Sequence, residues 1–497
     1  MRARSGILLA SGVLSACVAV GPDYRKPEVP MPALYSARIA VDQTAGRAEL
    51  RAWWKQFGDR ELDALIARAL EGNLDLQSAA SRISQAREQT IIAGANALPT
   101  LGADADVNRT RLSANSGISQ LASQFGGNPG SGHSGNGGQG AGGGGFSLPG
   151  SGFSTYTLGF DASWEIDLFG GTRRAVQAAQ ANAEAAVWDR RDSEVSVAAE
   201  VASDYLALRT VQRQIAIARE EIARQRQTLA LTEARRKSGF VTELDVRQQR
   251  AQLALAEAMP PELDAQALAQ VHALGVLLGQ PPETLEAELA KPNPVPAGTP
   301  NVPVGLPSDL LRRRPDIRAA ERQVAAANAE IGVAVADLYP KFDLTGVLDF
   351  VSLDLRHLLD LSSRQYSATA AISWPIFAGG KIRANIRVNE EKTQQALFAY
   401  RKAVLGALSD VENALTRYSD EQAKHRALTD ALAEAERAHG VAFGQYKAGL
   451  IDFTPVLAAQ GTVLTTRDQL SESDGALDRD LVSLYKALGG GWSDAKQ

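Results

Sequence analysis

The side chains able to do bond-making chemistry are few and dispersed. The five histidines, His133, His272, His357, His425 and His439, share no neighbourhood in the chain. There is no His-Glu-x-x-His pair for a zinc-bound water and no Gly-x-Ser-x-Gly elbow for a serine nucleophile. Gly379-Gly380-Lys381 lacks the upstream glycine spacing and the following Ser/Thr of a phosphate cradle. The expectation is therefore no catalytic residue, no metal and no cofactor. The net charge is −5, from 52 basic and 57 acidic residues, and gives no reason to expect a nucleic-acid partner. One pattern of carboxylates does carry meaning. Asp104 and Asp106, then Asp161, Glu165 and Asp167, then Asp343 and Asp349 recur at even spacings. On a β-strand such residues share one face. A one-signed acidic face suits the lining of a water-filled, cation-attracting space, so these seven are the candidate pore-lining residues.

The residues between the acids define the elements that hold them. Leu101, Ala103, Ala105 and Val107 alternate with Gly102, Asp104, Asp106 and Asn108. Tyr156, Leu158, Phe160, Ala162, Trp164, Ile166 and Leu168 alternate with a polar set. Phe342, Leu344, Leu348 and Phe350 form a third run, and Tyr366, Ala368, Ala370, Ile372, Trp374 and Ile376 a fourth. Each run has period two and the length of a tilted transmembrane strand, about 10 residues. Trp164 and Trp374 sit at matching ends, where an interfacial aromatic girdle falls. No stretch of 18 apolar residues exists, which excludes a helical span but not a barrel. Four strands cannot close a barrel, and lipid-exposed edges leave backbone groups unsatisfied. Two copies would give a filled barrel of 8 strands. Three would give 12 strands and a pore, and the small residues of the inner face favour three.

The chain is written twice. Trp164-Glu-Ile-Asp-Leu-Phe-Gly-Gly-Thr-Arg-Arg-Ala is matched by Trp374-Pro-Ile-Phe-Ala-Gly-Gly-Lys-Ile-Arg-Ala, 210 residues on at the tryptophan and 209 at the glycine pair. Lys237-Ser238-Gly239 is matched by Lys447-Ala448-Gly449, and Ala97-Leu98-Pro99 by Leu338-Tyr339-Pro340. Thr172–Lys237 contains neither proline nor glycine, and Lys381–Lys447 contains no proline. A continuous helix of that length reaches ~100 Å. Alanine dominates both runs, which suits a single-layer wall of closely packed helices. Each run ends at Lys-x-Gly, a lysine on the helix dipole and a left-handed glycine. Thr242 and Asp452 then stand where they can N-cap the returning helices. The first copy is longer by a glycine-rich loop, 126–152, with 12 glycines in 126–145. The expected organisation is a signal peptide over 1–16 and an N-terminal extension with an equatorial segment over 17–72. Repeat 1 follows over 73–279, and a proline-rich connection, equatorial domain, over 280–307. Repeat 2 covers 308–488, and 489–497 is a tail.

Residues 1–17 carry a short basic region at Arg2 and Arg4, a short apolar region from Gly6 to Leu14, and small residues. This is the layout of a secretory signal. It ends in Leu14-Ser15-Ala16-Cys17, which resembles the bacterial lipobox, so Cys17 is the expected lipidation site and covalent lipid the only expected attached group. As the sole cysteine it excludes a disulfide framework. Two or more acyl chains anchor stably where one is marginal. Val18 in place of an aspartate favours the outer membrane.

These residues, with Val20-Gly21-Pro22-Asp23-Tyr24, Trp53-Trp54, and Leu306-Pro307-Ser308-Asp309-Leu310-Leu311-Arg312-Arg313-Arg314-Pro315-Asp316, resemble the outer-membrane efflux channels, the TolC-like proteins, and within them the OprM-like or NodT-like lipoproteins. The resemblance implies an α+β fold: a long-helix α-barrel continuous with a transmembrane β-barrel, four strands per protomer closed by trimerisation, with two internal structural repeats. It implies a homotrimer in outer-membrane lipid, joined to an inner-membrane pump by a periplasmic adaptor (membrane fusion) protein. It implies a periplasmic gate in which Tyr446 matches the gate tyrosine and Asp245 its aspartate partner, with Asp452 as a candidate acidic ring. Read without the resemblance, Asp245 favours a helix N-terminus and Asp452 caps one. Triple arginine 312–314 reads as a basic helix start at Pro315. The expected function is a passive trimeric duct exporting small molecules, drugs or other toxic compounds, in a tripartite efflux system. The alternatives are an envelope-anchored enzyme or a structural scaffold without a pore.

Overall fold

A computed structural model describes residues 19–36, 50–111, 113, 152–294 and 304–492. Cys17 and most of the glycine-rich loop lie outside the described residues. The main helices are α1 (Arg60–Gly72), α2 (Leu74–Ala95), α3 (Gly171–Lys237), α4 (Glu243–Leu277), α5 (Pro315–Ala336), α6 (Lys381–Lys447) and α7 (Phe453–Ala487). The strands are β1 (Thr100–Arg111), β2 (Gly152–Ile166), β3 (Lys341–Ser352) and β4 (Arg364–Ser373). Lengths match between the halves: 22 residues in α2 and α5, 67 in α3 and α6, 35 in α4 and α7. No described helix is long and apolar enough to cross a membrane.

The chain divides into two compact units that do not follow the halves of the sequence. The first takes Met1–Pro22, Ile91–Gln177 and Ala329–Asn389. Its centre is one antiparallel sheet in the order β1-β2-β3-β4. Period two puts alternate residues on opposite faces, and the register lines those faces up across the strands. Ala103, Phe160, Leu348 and Tyr366 form one row; Asp104, Gly159, Asp349 and Gln365 form the next. The two tryptophans are fixed in the same way. Trp164 Nε1 donates to the Ala97 carbonyl at 2.9 Å, and Trp374 Nε1 to the Leu338 carbonyl at 3.0 Å. Both acceptors stand two residues before the matched prolines, Pro99 and Pro340.

The second unit, Asp23–Thr90, Ala178–Asn328 and Glu390–Gln497, holds the main apolar core. Trp53, Trp54 and Phe57 pack with Leu62, Leu65 and Ile66 of α1 against Tyr205 and Leu208 of α3 and Tyr485 of α7. Trp53 stacks on Tyr485 with ring centroids 5.2 Å apart. Asp59 caps α1, accepting from Glu61 N and Leu62 N, and its other oxygen accepts from the Tyr205 hydroxyl at 2.6 Å. The C-terminal segment joins here, with Gly491 N donating to the Leu50 carbonyl at 2.9 Å. Arg314 donates to Asp316, to Asp410 and to the Ala487 carbonyl, and α5 begins at Pro315. That arginine secures a helix start.

Two charges in this unit give measurable expectations. Arg209 is fully buried on α3 and donates to Glu61, to Gln212 Oε1 at 2.6 Å and to the Lys291 carbonyl at 3.0 Å. Breaking a buried pair by removing one partner costs about 3–5 kcal/mol. Arg209→Ala is expected to show that loss in urea unfolding followed by helical circular dichroism. Asp204 on α3 is raised from 3.8 to about 6, first by burial and then by the charge of Glu200. A carboxyl raised in the fold stabilises most when protonated, so its contribution is full below about pH 4 and lost as pH rises through 6. Asp204→Asn is expected to raise the melting temperature at pH 7 and flatten its change between pH 4 and 6. An unchanged profile would assign that slope to other groups.

Candidate functional site

The polar face of the sheet collects most of the predicted acids. Asp104 and Asp349 flank Gly159 in one row. A Cβ at Gly159 would stand 2.1 Å from Asp349 Oδ1 and 3.3 Å from Asp104 Oδ1, so both carboxylates lean into the space that glycine leaves. Asp161 leans over Gly102 in the same manner. Glu165 faces Asp343 across β2 and β3, and Lys341 approaches Glu165 at 3.6 Å. Asp106 stands opposite Thr157. Asp167 lies one residue beyond β2, where its carboxylate accepts from the Arg173 amide at 2.9 Å and pairs with that side chain. Val347 and Val351 interrupt the acids on this face of β3, and Gly346 falls among the leucines of the other.

The helix turns form the second group, and their local structure follows from Lys-x-Gly. After α3, Gly239 N donates to the Arg236 carbonyl and Phe240 N to the Arg235 carbonyl. After α6, Gly449 N donates to the Tyr446 carbonyl and Leu450 N to the Gln445 carbonyl. Both glycines are left-handed, with φ +79° and +76°, and both ends are Schellman motifs. The returning helices then differ. Thr242 caps α4 through a capping box: Asp245 N donates to Thr242 Oγ1 at 3.3 Å, and the Thr242 amide donates to Asp245 Oδ2 at 2.8 Å. Asp452 takes the N-cap place before α7, yet its side chain makes no capping bond. The position matching Asp245 is Pro455, which has no N–H, so the donor that Thr242 uses is missing here. The capping expectation for Asp452 is corrected accordingly.

Tyr446 is 3% exposed, packed on Phe453 with ring centroids 5.0 Å apart. The Arg235 guanidinium lies 4.6 Å over its ring and donates to its carbonyl at 2.9 Å. The Tyr446 hydroxyl has no hydrogen-bond partner among the described residues, while Asp245 is engaged with Thr242. Within one protomer the two candidate gate residues are thus not hydrogen-bonded. Sequence reasoning missed Arg235; its only signal was a place in the last turn of α3, beside Arg236 and Lys237. Arg236 and Arg247 pair with Glu243 and hold its carboxyl below the ordinary range, the Arg247 bond leading. The next residue after each glycine is apolar and outward: Phe240 and Leu450 are each 74% exposed. Among the described residues no group of three or more His, Cys, Asp or Glu is arranged to hold a metal ion.

A sheet of four amphipathic strands, joined to paired helices of 67 and 35 residues, defines an outer-membrane channel with a helical barrel. Residues 65–280 and 306–490 match the outer membrane efflux protein family, and the chain belongs to it. It is similar to the pyoverdine export outer membrane protein OpmQ of Pseudomonas aeruginosa, 32% identical over 492 residues, 98% of this chain and 97% of that protein. It is also similar to the solvent efflux pump outer membrane protein SrpC of Pseudomonas putida, 30% identical over 501 residues and 99% of each chain. The solved outer-membrane channel OprN superposes with a TM-score of 0.81 at 33% identity, covering 95% of this chain and 99% of that one. The protein is the outer-membrane component of a tripartite efflux system.

Proposed function

We propose that three copies form the working duct, each giving four strands to a barrel of 12, with the polar row of Asp104 and Asp349 facing water. The observation that carries this is the amphipathic sheet with two open edges: among the described residues β1 and β4 each have a single strand neighbour. Closing it on further copies satisfies those edges in lipid. The halves support the same reading. We take them as internal repeats, given equal helix lengths and matched tryptophan bonds. Ile91 and Ile92 on α2 are 63% and 65% exposed, whereas their counterparts Gly332 and Val333 on α5 pack within the protomer. A second protomer's α6 is the natural cover for them.

Cys17 is the acylation site that anchors the trimer to the outer membrane from the periplasmic side, and Tyr446, Asp245 and Asp452 are the residues at the periplasmic closure. Tyr446 supplies an unmatched hydroxyl there. Phe240 and Leu450 form the ring on which an adaptor seats, since a residue in that position of a Schellman motif ordinarily packs back on its own helix. The relatives' names give pyoverdine and solvents as cargo, so the duct is a general passage for small molecules whose choice rests with the pump. Planar-bilayer recording tests the proposal. Purified trimer is expected to conduct weakly and to open on Tyr446→Ala with Asp245→Ala. Absence of conductance in that double variant would reject the duct.

A further inference from the structure

Residues 19–21 are held more firmly than a tether requires. The Val20 amide donates to the Phe169 carbonyl at 2.9 Å. Arg174, 5% exposed near the start of α3, donates Nε to the Val20 carbonyl at 3.0 Å and Nη2 to the carbonyls of Ala19 and Gly21 at 3.3 Å each. Its Nη1 donates to Gln177 at 2.9 Å, which fixes the guanidinium plane. The groove is cut by missing side chains. A Cβ on Gly21 would stand 2.5 Å from the Gly332 Cα of α5, and one on Gly332 would stand 2.6 Å from Arg174 Cγ. A Cβ on Gly170 would stand 2.5 Å from that of Ala19.

The second half of the chain serves as an internal control. Arg383 is the counterpart of Arg174, 209 residues on, and it is exposed. The counterpart of Gly332 is Ile91, 241 residues earlier, which would fill such a groove. The buried arginine and its glycines therefore belong to the strap and not to this helix start in general. The strap leads straight to Cys17. Cys17 precedes Ala19 by two residues, which span at most ~7 Å of backbone. The clamp itself follows Trp164, at the girdle end of β2, by ten residues.

We propose that Arg174 is a positioning residue for the membrane anchor: it fixes residues 19–21 in this groove and so sets the depth of the acyl group on Cys17 against the sheet. This rests on the reading of Cys17 as acylated. The test uses the full chain in lipid nanodiscs. Acylated Cys17 has no free thiol, so Val20→Cys offers one site for a nitroxide. The expected spectrum is immobilised, with one depth by oxygen and nickel-chelate relaxation. Arg174→Ala is expected to lose the immobilised component, and Arg174→Lys, with a single donor head, to recover part of it. Gly21→Ala, which sets a Cβ against Gly332 at φ +88° and leaves Arg174 in place, is expected to give the same loss and serves if Arg174→Ala does not assemble. A label that stays immobilised at unchanged depth in both variants overturns the proposal. The mass of the N-terminal peptide reports acylation separately. An unmodified Cys17 beside an immobilised label rejects the anchor role while leaving the clamp.

Discussion

Leu348→Arg is expected to keep the protein from accumulating as a membrane-inserted trimer, whereas Asp349→Arg, one residue along β3, is expected to insert normally and alter ion selectivity. The two side chains stand on opposite faces of one strand. Leu348 shares its row with Ala103, Phe160 and Tyr366, and a guanidinium there would face hydrocarbon. An arginine on the lipid face near the midplane costs about 2–4 kcal/mol. In the proposed barrel of three copies the total is roughly 6–12 kcal/mol, comparable with the whole stability of an ordinary domain. Asp349 shares its row with Asp104 and Gly159, and Gln365 donates to it at 3.3 Å. Reversing its charge shifts the lumen by two charges per chain, and the reversal potential in a potassium chloride gradient should move from cation toward anion preference. Equal insertion of both variants, or insertion only of Leu348→Arg, would mean that the faces are assigned the wrong way round.

The second large effect belongs to the helix turns. Changing Phe240 and Leu450 together to aspartate is expected to reduce capture of the adaptor from the native envelope by about 30-fold or more. Central apolar anchors of an interface are each worth about 2 kcal/mol or more, and 2 kcal/mol is about 30-fold in affinity. Both side chains are exposed in the protomer, and the glycines and carbonyl bonds that make the turns are untouched, so the fold and the trimer should persist. Crosslinking of tagged channel to adaptor, quantified against trimer, measures the effect. Full capture by the double variant would move the adaptor contact away from the turns.

The strands and long helices were legible because their signals are local and repeated. Alternation puts Leu101 and Ala162 on one face and Asp104 and Gly159 on the other before any pairing is known, and freedom from proline allows 67-residue helices. The capping box at Thr242 was legible for the same reason, since all its atoms lie within four residues. Asp452 shows the limit of reasoning by equivalence. Its place matched Thr242, and the mismatch of Pro455 with Asp245 was present in the sequence but carries weight only once the cap is drawn as a donor and an acceptor. Arg174 and Arg209 were not legible at all. Their partners, Ala19–Gly21, Glu61 and Lys291, lie between 82 and 155 residues away, and no spacing rule connects them. Tyr446 was found by resemblance, yet its stacking under Arg235 depends on two helix ends 211 residues apart.

The central ladder of the sheet has a bearing on how the chain is made. β1–β2 and β3–β4 are each local hairpins, but β2 meets β3 by pairing Tyr156 with Ser352, 196 residues later. Closing so long a loop costs entropy before any hydrogen bond repays it, and topologies dominated by such contacts fold slowly. The first hairpin must therefore wait, with an apolar face and an open edge, until nearly three-quarters of the polypeptide has been delivered. A molecule built this way is expected to gain from cellular escort between synthesis and insertion, and the waiting hairpin is the part to be shielded.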